Sequence, residues 1–224
     1  MRQIIVSLIL VLLTACAGTP LSAPEQEVDA DAIASHQQSL QRVDAWEFQS
    51  RMAFVDRQAN DRQAASLRWY HSDNERALRI SHPLRGTLAR IEETSEGASL
   101  TDNQGQTYRA RDIESLLMTH LNVFLPIDLI HAALLGRIPE TTIINPNYYA
   151  DGTLASYEVD IEHPFAAWSQ RPAQTWQVTL GRYSSVETDA QTHSQDAVVQ
   201  LPHELQLRSD DYDIRLSISR WSIL

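Results

Sequence analysis

The sequence predicts a mostly β protein with helices, in which an antiparallel sheet curls into an unclosed barrel. Three observations carry that expectation. Beyond residue 45, apolar and polar residues alternate with a period of two through most segments, as in strands with one face in the core and the other in water. Such segments number about nine to eleven, more than a flat open sheet holds without curling. Near the middle of the chain the period lengthens to that of helices. At 224 residues, 43% hydrophobic and 21% charged, the chain suits one domain of the larger β or α+β kind, or two small ones.

The N-terminus reads as an export signal. Arg2 precedes an apolar run over residues 4–13, about half the roughly 20 residues of a membrane-spanning helix. The run ends in Leu13-Thr14-Ala15-Cys16, which resembles the lipobox of bacterial lipoproteins. That resemblance implies cleavage after residue 15 and acylation of Cys16, the only cysteine in the chain; the alternative is an ordinary signal whose cysteine is discarded. Ala17 stands where enterobacterial lipoproteins kept in the inner membrane carry Asp, which by analogy directs the chain to the outer membrane. Residues 16–30, with Pro20, Pro24 and several acids, have no apolar period and form a flexible tether. Residues 31–224 then make a single folded domain.

Within that domain, residues 31–43 read as a weakly amphipathic helix carrying Ile33, Leu40 and Val43. A strand follows in which Trp46, Phe48, Met52 and Phe54 alternate with polar or small residues. Leu67 with Trp69, Leu78 with Ile80, Leu88 with Ile91, and the segments flanking the turn at residues 102–105 continue an antiparallel meander. Asp112 caps a helix carrying Ile113, Leu116, Leu117 and Leu121, and Pro126 opens another that stops at Gly136. Strands return at Tyr157–Ile161, Trp176–Leu180, Leu205–Leu207 and Tyr212–Ile218, with Pro202 expected at a strand start or edge.

Composition narrows the chemistry. All 18 basic residues are Arg, which removes Schiff-base and phosphate-loop lysines, and a formal net charge of −11 disfavours nucleic acid. Seven scattered glycines make no dinucleotide fingerprint. The eight histidines form no His-x-x-x-His pair and read as surface or satisfied core residues, and the acidic runs at 158–162 and 210–213 read as solvated, so no metal site and no cofactor is expected. A dispersed Ser/His/Asp esterase site is the remaining enzymatic alternative. Beside it stands an apolar concavity lined by Trp46, Phe48, Phe54, Trp69 and Trp176, compatible with either a filled core or a lipid pocket.

Several segments together resemble the LolB family of outer-membrane lipoproteins. They are residues 51–54, 67–69, 81–86, 100–108, 125–136 and 201–207, with Ile214-Arg215-Leu216 and Trp221, and they span nearly the whole mature chain in order. The resemblance implies an open barrel with a helical lid over an apolar acyl-chain cavity. It also implies a monomer that is not an enzyme. Such a protein takes acylated lipoproteins from a periplasmic carrier of the LolA type and inserts them into the outer membrane, to which it is itself lipid-anchored on the periplasmic side. Phe54, Trp69, Leu78, Ile80 and Leu117 are the expected cavity residues. Leu84, after Pro83 in a loop between strands, matches the family's protruding insertion leucine; Arg85 follows it, with Gly86 one place later. The alternative is a lipid-anchored binder of a free lipid or fatty acid.

Overall fold

The computed structural model describes residues 28–162, 173–188 and 198–224. The export signal and Cys16 lie outside these residues. The first half is a meander: β1 (Trp46–Asp56), β2 (Asp61–Ser72), β3 (Glu75–His82), β4 (Gly86–Thr94), β5 (Gly97–Asp102) and β6 (Thr107–Ala110) pair in chain order. The second half supplies β7 (Ile143–Tyr148), β8 (Leu154–Glu162), β9 (Ala173–Gly181), β12 (Glu204–Arg208) and β13 (Tyr212–Ile223). β13 lies against β1 from Trp46↔Ile223 to Asp56↔Tyr212 and fuses the halves into one antiparallel sheet of 11 strands, ordered 6-5-4-3-2-1-13-12-9-8-7. β6 and β7 are its two free edges, so the barrel is not closed. β10 (Ser184–Glu187) and β11 (Val198–Leu201) form a separate ribbon.

Three helices complete the described chain: α1 (Ala30–Leu40), α2 (Ile113–Leu121) and α3 (Ile127–Leu135). α2 and α3 connect β6 to β7, one free edge to the other, so the connection has to cross the open side of the curled sheet. Apolar residues decide which way it faces. Leu116, Leu134 and Leu135 are fully buried, in one cluster with Trp46, Phe48, Leu100, Trp176 and Leu207 from the sheet. At about 1.5–3 kcal/mol for each large apolar side chain removed from water, this shared core holds the helices down.

The expected elements are found, with shifts that have local causes. α1 ends at Leu40, yet Val43 stays buried, its N–H donating to the Leu40 carbonyl at 3.0 Å. Leu121, expected on the apolar face of α2, is 53% exposed: the helix stops there, with Asn122 in the left-handed region. Strands β7, β10 and β11 are additions to the pattern expected from sequence. β7 hides its period behind Asn145-Pro146-Asn147, with a positive φ at Asn145 and two register shifts; at a sheet edge a proline costs no ladder bond.

Candidate functional site

The concave face is the candidate site, and it is built by period-two strands that put every second side chain inward. Trp46 opens β1 and is 0% exposed, with Phe48 and Trp69 ring centroids at 5.7 and 5.8 Å. Of the five expected cavity residues, Trp69, Leu78 and Leu117 are buried members of the core, while Phe54 and Ile80 are half-buried against it. Trp69 and Leu78 face each other across β2 and β3, Ile80 faces Leu67, and Phe54 stacks on Tyr212 at 5.6 Å. The structure therefore gathers all five on one apolar core. In this conformation Leu116, Leu117, Ile130 and Leu134 of α2 and α3 fill the space over the sheet.

Carboxylates clamp the two covering helices by their N-termini. Asp112 caps α2 by accepting from the Ser115 N–H at 2.7 Å, and Glu93 of β4 accepts from the Ile113 N–H at 3.1 Å. Pro126 has no side-chain cap to offer α3, so Glu114 of α2 accepts from the Ile127 N–H at 2.8 Å. Arg76 of β3 joins the clamp, 3.3 Å from Glu93 and 3.4 Å from Asp128. Burial and the neighbouring Asp128, Asp112 and Glu93 push the Glu114 carboxyl above its ordinary range. Local sequence patterns do not disclose the Glu93, Glu114 and Arg76 contacts, because each links residues 13 to 52 positions apart.

At one end of the concave face the lining turns polar. His71 of β2 and His131 of α3 lie 4.2 Å apart, and both stack on Trp46, at 5.2 and 5.6 Å. Burial drives the His131 imidazole down to about 3 from 6.5, helped by His71, Arg76 and Arg137; His71 is lowered too, again chiefly by burial. The expectation that the histidines are surface or satisfied core residues fails here. His71 Nδ1, His131 Nε2 and the indole N–H groups of Trp46 and Trp69 are buried with no hydrogen-bond partner among the described residues. Each such group costs about 1–3 kcal/mol. Beside them opens a hollow of about 580 Å³ lined by Asp44, Asp73, Glu75, Arg76, Glu93 and Arg137 as well as the two imidazoles.

Leu84 sits in the turn between β3 and β4 and is 91% exposed. The Leu84 N–H donates to His82 Nδ1 at 3.2 Å and the Arg85 N–H to the His82 carbonyl at 3.2 Å, closing the turn, with Gly86 at φ +70. Of serine–histidine pairs, Ser184 and His203 stand 2.8 Å apart, and His203 Nδ1 faces the Ile218 carbonyl at 2.9 Å. The orienting group is a neutral carbonyl, and Ser184 lies exposed on the β10–β11 ribbon, outside the 11-stranded sheet. No cluster of metal-ligating side chains occurs among the described residues.

Comparison with known proteins gives a consistent result. The family described as outer membrane lipoprotein LolB matches residues 44–221. The outer-membrane lipoprotein LolB of Vibrio cholerae is 24% identical over 216 residues, covering 96% of this chain and 93% of that protein. The Klebsiella pneumoniae protein of the same name is 24% identical over 213 residues, covering 95% and 93%. Among solved structures, a LolA superfamily protein from Nitrosomonas europaea shares the fold at a TM-score of 0.50 and 8% identity, covering 86% of this chain and 93% of that one.

Proposed function

We propose, since this chain belongs to the LolB family of outer membrane lipoproteins, that it receives acylated lipoproteins from a LolA-like periplasmic carrier and delivers them into the outer membrane. Cys16 carries its own acyl anchor, residues 16–30 are the tether, and the concave face holds the cargo's acyl chains. The observation behind this proposal is topological. The helices that fill the apolar face, α2 and α3, run between the two unpaired edges of the sheet. They can therefore lift without breaking any strand pairing.

Energetics supports transfer without fuel. An acyl chain gains about 0.8 kcal/mol per buried methylene, so it moves through water only inside a protein. On the concave face it has to displace side chains such as Leu116, Leu117 and Ile130, which are already buried. The cargo is thus held by the difference between two burials, which is smaller than its gain in a bilayer. Release toward the membrane runs downhill. Leu84 marks the delivery end, where an exposed leucine contributes little to the fold and meets the lipid boundary.

The test is transfer in vitro. A radiolabelled acylated lipoprotein on the purified carrier should move to this protein and then to vesicles without nucleotide. A chain that binds a free fatty acid but takes nothing from the carrier would be a lipid-binding module instead.

A further inference from the structure

We propose that the indole N–H groups of Trp46 and Trp69, flanked by His71 and covered by His131, form a polar subsite within the concave face for the neutral carbonyl groups that link acyl chains to the cargo, ester or amide. The inference rests on the acyl-binding role above and names the group recognised there. Three of these residues come from the sheet: Trp46 pairs with His71 across β1 and β2, and Trp69 stands opposite Phe48 one inward position along. The fourth, His131, comes down from α3 onto the Trp46 and His71 rings. One ring nitrogen on each of the four is buried and unpartnered among the described residues. The two indole nitrogens are N–H donors, and buried donors without a protein partner are a penalty that a matching acceptor removes.

The chemistry of the wall selects the acceptor. Both indoles are neutral donors, and the surroundings are Phe48, Leu78, Ile130 and other apolar groups. A carboxylate brought here would lose its hydration without meeting a cation on the same wall, whereas an ester or amide oxygen brings no charge to bury. Arg76 and Arg137 lie in the adjoining hollow, and both are engaged: Arg76 with Glu93 and Asp128, Arg137 with the Leu40 and Val43 carbonyls at 2.5 and 2.8 Å. The arrangement also explains why His131 belongs to a covering helix. When α3 lifts, its imidazole leaves the Trp46 face and opens the sheet-side donors to the cargo's linkage, while the alkyl chains run on along Trp69, Leu78 and Ile80. The hollow beside His71 leaves room for the polar remainder of the cargo.

The experiment compares two probes of equal chain length on the full chain, dioctanoylglycerol with two ester carbonyls and dioctylglycerol, its ether analogue with none. Binding is followed by quenching of tryptophan fluorescence and by calorimetry. The ester should bind about tenfold more tightly than the ether. The Trp46→Phe/Trp69→Phe double variant keeps an aromatic ring at each position and loses both N–H groups, so by calorimetry it should bind the two probes alike. Equal affinity in the wild-type protein would overturn the subsite while leaving the acyl-binding role standing, as would an ester preference that survives in the double variant. Failure of both probes to bind would overturn the acyl-binding role and the subsite with it. Because each result is a ratio within one protein, a general loss of affinity from the smaller rings does not imitate it.

Discussion

Two residues show how differently a side chain discloses its role. Leu84 is marked in the sequence by Pro83 before it and by family resemblance, and the structure sets it in open water at a turn tip. Leu84→Glu should leave the thermal midpoint unchanged and acceptance from the carrier intact, while slowing insertion into liposomes severalfold, since a leucine entering the lipid boundary contributes only about 1.5–3 kcal/mol and the charge opposes it. Loss of acceptance would move Leu84 into the binding face. His131 gives no such sign, because a lone histidine on an apolar helix does not announce what it packs against. Its unfolded form takes up a proton near 6.5 and its folded form only near about 3, so stability is complete above the first value and falls as pH drops toward the second. His71 is lowered in the same direction. His131→Gln should therefore flatten the decline of the unfolding midpoint below pH 6.5 without abolishing it; an unchanged slope would show that the imidazole is not buried as described.

Among elements, periodicity is readable wherever a strand has one wet face. β1, β8 and β13 announce themselves by alternation, and Asp112, Pro126 and Gly136 mark the helix ends. Short strands without a clean alternation, and contacts between elements, are not readable. Glu114 is the clearest case, since it caps a helix it does not belong to. Glu114→Ala should cost about 0.5–2 kcal/mol and speed amide hydrogen exchange in α3 before any other element, whereas Glu114→Gln, which keeps an acceptor oxygen, should cost less. Gly152 is a second such contact: at φ +83, a Cβ placed there would fall 2.4 Å from the Ala32 carbonyl carbon of α1. Arg68, Arg79 and Arg90 stand directly opposite one another across β2, β3 and β4. Like charges so placed repel, so Arg79→Thr should leave stability unchanged or raise it by about 0.2–1 kcal/mol, measured by denaturant unfolding.

For the molecule as a whole, the count of strands already requires curling, but the place where the barrel stays open depends on which strands pair over long range. That is set by β1 against β13, joining residues more than 150 positions apart, and no local pattern encodes it. The same pairing leaves β6 and β7 as free edges and makes the two helices between them a cover. Acylation is the matching expectation at the N-terminus: mass spectrometry of the mature protein should find Cys16 first in the chain and carrying lipid, and an unmodified or differently cleaved terminus would remove the anchor. Occupation of the concave face by cargo acyl chains, once α2 and α3 lift, can be read from photo-cross-linking. The protein is loaded from its carrier with a lipoprotein whose acyl chain bears a photoactivatable group, and the cross-links are mapped by mass spectrometry. They should fall on Phe54, Trp69, Leu78, Ile80 and Leu117; cross-links confined to residues such as Ala53, Thr179 and Arg215, which line a separate hollow, would refute acyl binding on the concave face.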